Sequence, residues 1–222
     1  MKLVLFDLDN TLLAGDSDYA WGLFLIEQGI VEREQYEREN ERFYQQYKQG
    51  TLDIHAFLDF QLRPLSEHSL EQLQSWHRQF MSQYILPMMT LRSRALVNNA
   101  LNDADLVAII TATNRFVTAP IAEEFGVKHL IATEAELCDG RYTGKSEGIP
   151  CFQSGKITRL NEWLHGMGRD LNQFEQTWFY SDSRNDLPLL EQVTHPVAVN
   201  PDVVLRQQAL THHWPILDLH AD

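Results

Sequence analysis

Four short runs in this sequence are almost unbroken strings of apolar residues, at residues 3–6, 106–110, 178–180 and 196–199. A strand with one wet face alternates apolar and polar residues; a continuous run needs cover on both faces. These runs are therefore read as buried parallel strands, with a weaker fifth at residues 129–132. Helical patterns separate the later ones. Residues 114–125 end at Gly126, residues 156–167 follow Ser154-Gly155, and residues 187–193 follow the run at 178–180. Strand alternating with helix predicts an α/β fold around a parallel sheet.

The stretch between the first two runs has a different character. Residues 19–28 end at Gly29, residues 32–49 end at Gly50, and residues 52–62 stop before Pro64. Ser66 or Ser69 can cap a further helix that runs to Tyr84 and breaks at Pro87. A crossover between neighbouring parallel strands needs only one helix. The surplus predicts an inserted all-helical unit over the end of the first strand, or else extra helices packed on the sheet edge. Further on, Asp139-Gly140 is a hairpin signal and predicts a short β-excursion.

The chain has 222 residues, 44% hydrophobic and 22% charged, which suits a globular fold with a sizeable core. Its formal net charge of −13 disfavours nucleic acid and anionic membrane surfaces as partners. Any phosphate chemistry must then supply its own positive charge at the site. Cys138 and Cys151 are the only cysteines and lack the spacing of a zinc or redox pair. Asp7 and Asp9 interrupt the first apolar run too early for a signal peptide, and no run is long enough to span a membrane. The expectation is a soluble cytoplasmic protein. No feature sets its oligomeric state.

Asp7-Leu8-Asp9 follows the first run directly, and open α/β sheets bind ligands outside the carboxyl ends of their strands. Two such acids repel each other unless a cation sits between them or one is protonated; a turn without chemistry is the other reading. Ser181-Asp182-Ser183-Arg184-Asn185-Asp186 adds further carboxylates after the run at 178–180. A hard divalent cation relieves such crowding, and Mg²⁺ suits one or two carboxylates plus a phosphate. Asp182 could equally cap a helix. Thr111-Ala112-Thr113 ends the second run and opens a helix, a place for an anion or a plain N-cap. Lys156 stands at a helix start, where the macrodipole disfavours it unless an anion is near.

The order of these motifs, with Asp7-Leu8-Asp9-Asn10-Thr11 first and Ser181-Asp182-Ser183-Arg184-Asn185-Asp186-Leu187-Pro188 last, resembles the haloacid dehalogenase superfamily. The helical insertion after the first motif resembles its phosphoserine-phosphatase-like branch. Asp139-Gly140-Arg141-Tyr142-Thr143-Gly144 and Pro150-Cys151-Phe152 resemble a bacterial group with members named histidinol-phosphatase. The resemblance implies a Rossmann-like core at residues 1–15 and 86–222, helices on both sheet faces, and a helical cap at residues 16–85. It also implies a Mg²⁺-dependent phosphatase acting on a small phosphate ester. Asp7 would be the nucleophile and Asp9 the acid and base for the leaving group. Asp7, Asp182 and the Asp9 carbonyl would hold Mg²⁺, and Thr111, Ala112 and Lys156 the phosphoryl oxygens. Asn185 would lie near the phosphate, Asp186 would anchor Lys156 or a metal-bound water, and Thr11 would support the site from behind. Phosphotransfer to a second hydroxyl, or a site that binds phosphate without turnover, are the alternatives.

The phosphoserine-hydrolysing members carry a glutamate nine residues after the nucleophile, where Asp16 stands here. They carry Ser-Gly-Gly where this chain has Thr111-Ala112-Thr113. Asp16 is thus a candidate for substrate specificity, with Arg63 a guess for the cap arginine that would bind a carboxylate. Trp21, with Tyr19 and Phe24, is a candidate lining of an aromatic pocket, or else core of the cap. The segment at residues 142–152 is expected to shape the pocket as well.

Overall fold

The computed structural model describes residues 1–221. Seven strands form one sheet: β1 (Lys2–Phe6), β2 (Leu106–Asn114), β3 (His129–Cys138), β4 (Arg141–Glu147), β5 (Gln176–Ser181), β6 (His195–Val199) and β7 (Ile216–Leu217). Their order is β4-β3-β2-β1-β5-β6-β7. Each neighbouring pair is parallel except β3 and β4. All five apolar runs lie within strands, and β1 is central.

Both faces of the sheet are covered. Val4, Phe6, Val107 and Ile109 belong to one buried cluster, and Leu3, Leu5, Ala108 and Ile110 to another. That alternation within continuous apolar runs is what two helical layers require. The second cluster is closed by α8 (Ser154–Gly166), α9 (Leu187–Leu190) and α10 (Val203–His212), through Leu160, Leu164, Leu189, Leu190, Leu205 and Ala209.

The first cluster runs on without a break into the helices between β1 and β2. These are α1 (Ser17–Glu27), α2 (Arg33–Gln49), α3 (Ile54–Ser66) and α4 (Leu70–Phe80). α4 passes through a π-helical turn (Met81–Ile85) into the short α5 (Leu86–Met88) at Pro87. Then α6 (Leu91–Asp103) leads to β2. Asp16, Glu32, Asp53 and Ser69 each cap a helix start with a side-chain oxygen. Where the chain departs and returns it is stitched together: Ala14 N donates to Met88 O at 2.9 Å, and Leu13 bridges Met89.

Several boundaries differ from the sequence reading. β2 continues past residue 110 to Asn114, across a register shift that ends at the Asn114–Thr133 pairing. The hydroxyls of Thr111 and Thr113 therefore project from a strand end rather than from a helix cap; Asn114 caps α7 (Arg115–Glu124) instead. α3 runs through Pro64 to Ser66, forgoing the bond that an N–H at residue 64 would give to the Phe60 carbonyl. The hairpin of β3 and β4 is longer than a short excursion. β4 packs on α3, with Lys145 paired to Asp59 at 2.9 Å. α9 is shorter than residues 187–193 suggested. The helices α6 and α10 and the strand β7 had no counterpart in the sequence reading. No helix among the described residues is long and apolar enough to cross a membrane.

Candidate active site

Asp7 leaves β1 still on the ladder, its N–H donating to Tyr180 O at 2.9 Å. The chain then coils tightly, with Leu8 O accepting from Thr11, Leu12 and Leu13 and Asn10 held at φ 56°. Asparagine tolerates that left-handed geometry better than most residues. The coil brings Thr11 back beneath Asp7. Its hydroxyl lies 3.1 Å from Asp7 Oδ2 and 3.2 Å from Asp182 Oδ1, and it accepts from Asp182 N at 3.0 Å. Thr11 thereby ties the end of β1 to the end of β5.

Lys156 closes the other side. Its Nζ donates to Asp7 Oδ1 and Asp186 Oδ2, both at 2.7 Å, and the lysine is 3% exposed. Asp186 also accepts from Ser181 Oγ at 2.7 Å. A lysine in the first turn of α8 faces the wrong end of the helix dipole, and these two carboxylates offset that. The turn that delivers it is sterically tight. Gly155 N donates to Phe152 O, and a Cβ at residue 155 would come within 2.1 Å of Pro150 O. Glycine is required there.

Asp9 is held apart from this network. Its Oδ2 accepts from Thr113 Oγ1 at 2.7 Å and its Oδ1 from Ser17 N at 2.6 Å. Thr111, 1% exposed, lies beside it at the end of β2, its Oγ1 accepting from Thr113 N. Asp7, Asp9, Thr111 and Ala112 line a cavity shared with α1, α2 and α3. Its far wall carries Asp16, Asp18 and several aromatic side chains.

Three expectations are corrected, and of the two readings of Trp21 the core one holds. Trp21 is 1% exposed and packs among Phe24, His77, Phe80 and Phe116, so it is core and does not line the cavity. Arg63 is exposed and pairs with Glu67 on the outer surface of α3. Asn185 does not line the cavity; its Nδ2 donates to Tyr47 O, and its Oδ1 accepts from Gln153. Of the segment at residues 142–152, Phe152 alone lines the cavity, because β4 is committed to α3. Asp16 does line it, but its Oδ1 is occupied in capping α1, accepting from Asp18 N and Tyr19 N. Asp186 takes one of its two expected partners, Lys156.

The sequence reading missed Thr113 and Ser17 as partners of Asp9. It also missed Tyr47, whose carbonyl reaches Asn185 and whose side chain bonds Ser183. Thr113 stands one strand repeat beyond Thr111, a signal that could have found it. Ser17 acts through its backbone, which no side-chain motif reveals.

The electrostatics are unbalanced. Asp7, Asp9, Asp182 and Asp186 are all buried, with Lys156 the one cation bonded among them. Burial pushes Asp7 up to about 7, with Lys156 opposing and Asp186 adding to the rise. Burial and neighbouring Asp16 push Asp9 up to about 6, against the hydrogen bonds from Ser17 and Thr113. Burial, then Asp7 and Asp186, hold Asp182 well above the carboxylate range. Burial works against the Lys156 ammonium, but Asp186 and Asp7 outweigh it and keep it charged.

No three His, Cys, Asp or Glu side chains among the described residues converge as a complete cation cage. The donor set is smaller: the carboxylates of Asp7 and Asp182, joined through Thr11. Mg²⁺ fits such a set, since it keeps waters and substrate oxygens as its other ligands. A stability test follows. Groups whose folded pKa is raised add stability below their unfolded pKa and lose it as pH rises through the folded value. For Asp7 and Asp9 that loss spans the interval from the ordinary value of 3.8 to about 7 and about 6. The metal-free protein should therefore melt lower at about pH 8 than at about pH 5. Mg²⁺ at about 100 times its Kd should raise Tm by about 5–10 °C at the higher pH and far less at the lower. A Tm indifferent to Mg²⁺ at high pH would contradict the assignment of this edge as a cation site.

A strand-end acid pair and a lysine held by two carboxylates meet at a cavity walled by α1, α2 and α3. The sequence profile of haloacid dehalogenase-like hydrolases matches residues 4–191, and the chain belongs to that family. It is 47% identical over 218 residues to a histidinol-phosphatase of Neisseria meningitidis, covering 98% of both chains. It is 28% identical to a probable phosphatase of Mycobacterium tuberculosis, covering 96% of this chain and 73% of that one. Among solved structures, a protein of unknown function from Bordetella pertussis superposes with a TM-score of 0.93 at 47% identity, over 98% of both chains. A substrate-bound phosphoserine phosphatase shares the fold, with a TM-score of 0.70 at 19% identity, over 100% of this chain and 94% of that one. The protein is a phosphatase of the haloacid dehalogenase type.

Proposed function

We propose that the protein hydrolyses a small phosphate monoester through an aspartyl-phosphate on Asp7, with Mg²⁺ as cofactor. The observation that carries this reading is the division of labour between two acids two residues apart. Asp7 is bonded to a lysine, whereas Asp9 is bonded to neutral donors at the cavity wall.

In the first step an Asp7 carboxylate oxygen forms the new P–O bond while the ester P–O bond breaks. Asp9, protonated, gives its proton to the departing oxygen. Burial and Asp16 raise its pKa to about 6, which favours holding that proton, while Lys156 and a bound Mg²⁺ would favour the ionised form of Asp7. In the second step Asp9 takes a proton from the attacking water, the P–O bond to Asp7 breaks, and inorganic phosphate leaves. Lys156, the Thr111 hydroxyl and the Ala112 amide would neutralise the phosphoryl oxygens, where charge accumulates. Asp186 and Ser181 keep the Lys156 ammonium in place. Asp7, Asp182 and the Asp9 carbonyl would hold Mg²⁺, which screens the charge of nucleophile and phosphate from each other when bound.

The helical residues 16–85 act in this reading as a cap that excludes water and shapes the leaving-group pocket. The stitching of Ala14 to Met88 at its base supports that role. Relatives named as phosphatases support the hydrolytic outcome. The test is release of inorganic phosphate from p-nitrophenyl phosphate, with Mg²⁺ and with a chelator. Release that needs Mg²⁺ is expected; no release from folded protein, or transfer of the phosphoryl group to a second alcohol in place of release, contradicts it.

A further inference from the structure

Asp7, Asp9 and Thr111 in the cavity wall are accounted for above; the wall formed by α1, α2 and α3 is not. It is lined by Asp16 and Asp18 and, among the described residues, by no lysine, arginine or histidine. Asp16 caps α1 through its Oδ1. Asp18 is different. It is 6% exposed, and its Oδ1 is buried without a hydrogen-bond partner. A buried carboxylate oxygen left unpaired is costly and calls for an explanation in the molecule's function.

Its surroundings hold it in place rather than satisfy it. Gln61, 2% exposed, donates to the Asp18 carbonyl at 3.4 Å and accepts from the Tyr36 hydroxyl at 3.0 Å. Asn40 donates to the neighbouring Tyr19 carbonyl at 3.2 Å. Aromatic rings of Tyr19, Phe43, Tyr44 and Phe57 complete the wall. None of the basic residues on the flanking helices lines it, although Lys48 is near enough to offset part of the rise in the Asp16 pKa. Arg63 pairs with Glu67 on the surface, and Lys48 lies over the Tyr44 ring at 4.1 Å without lining the cavity.

Resting on the phosphatase reading, we infer that the substrate is the phosphate ester of an amino alcohol that carries a cation and no carboxylate, and that Asp18 is the specificity-determining residue that receives the cation. An ammonium or imidazolium group would pair with the free Asp18 oxygen, and the ring faces would favour the same charge. Burial already raises the Asp16 and Asp18 pKa values, Asp18 the more; an incoming cation would draw out the carboxylate form, whereas a carboxylate on the leaving group would oppose it and find no cation among the lining residues. Discrimination against an amino-acid ester such as phosphoserine is thus built from repulsion as well as attraction. The position of Asp18 follows from the fold. It lies in the first turn of α1, whose Ser17 N–H holds Asp9, so the leaving oxygen and the cation site share one rigid element.

The test compares kcat/KM for L-histidinol phosphate, phosphoethanolamine and phosphoserine, with p-nitrophenyl phosphate as the neutral reference. Wild-type protein should prefer the first two to phosphoserine by about 10²-fold, and Asp18→Asn should lower the ratio of cationic to aryl ester by about 10²-fold, mostly in KM. Phosphoserine turned over as well as the carboxylate-free esters overturns the substrate assignment on wild-type protein alone. An unchanged ratio in Asp18→Asn overturns the role of that residue. Wild-type protein that turns over the aryl ester and no cationic ester also refutes the inference, whereas failure on the aryl ester as well refutes the phosphatase reading beneath it.

Discussion

Asp7→Asn should abolish turnover, by roughly 10⁴-fold or more, while leaving the fold intact. An amide in place of the carboxylate keeps the size of the side chain and can still meet Thr11. It cannot form the phosphoryl ester. Lys156 is not orphaned, because Asp186 holds it at 2.7 Å independently. The stability change has a definite sign. Burial outweighs Lys156 in setting the Asp7 pKa at about 7. Neutralising residue 7 should therefore raise Tm in metal-free protein above neutral pH, and should shrink the rise that Mg²⁺ produces. Activity and melting curves on the same preparation check both halves. A destabilised Asp7→Asn with proportionate loss of activity would point to a structural role instead.

Asp9→Asn should show a different signature, dependent on the leaving group. An alkyl alcohol needs a proton as it departs, so turnover of an alkyl phosphate should fall by about 10²–10⁴-fold. A nitrophenolate leaves without one, so the first step with p-nitrophenyl phosphate should be largely spared. The second step still needs Asp9 to take a proton from water. The variant should therefore give a burst of nitrophenol close to one per protein molecule, followed by a slow phase. Thr113 and Ser17 both donate to Asp9, and the Asn replacement can preserve only some of that pairing. Equal losses on alkyl and aryl esters, with no burst, would remove Asp9 from the role of proton donor.

How far the molecule could be read from its sequence depended on which interactions were local. Asp7 and Asp9, Thr111, and Asp182 with Asp186 each follow a continuous apolar run. A parallel sheet places the ends of such runs side by side, so their convergence was legible before any coordinates. Lys156 was legible only through its order among them; the clash that Gly155 avoids with Pro150 was not. The helical insertion could be recognised but not oriented. Trp21 and Asp18 are three residues apart on α1, yet one is enclosed by rings of α4 and α7 and the other faces the cavity. Which face of α1 turns inward is set by its packing on other elements, and one sequence carries no record of that. The spacing from Asp7 singles out Asp16, but helix capping occupies its Oδ1, and the oxygen that is both buried and unpaired belongs to its neighbour two positions on. β7 was missed because a two-residue strand has no period to detect.

The central claim is a covalent phosphate on Asp7, and the slow second step expected of Asp9→Asn offers a way to capture it. That variant would be mixed with p-nitrophenyl phosphate and Mg²⁺, quenched in acid during the slow phase, digested and mapped by mass spectrometry. The account predicts the mass of one phosphoryl group on Asp7, absent when Asp7→Asn is introduced into the same protein. A nitrophenol burst with the phosphoryl group on another residue, or on none, would contradict it.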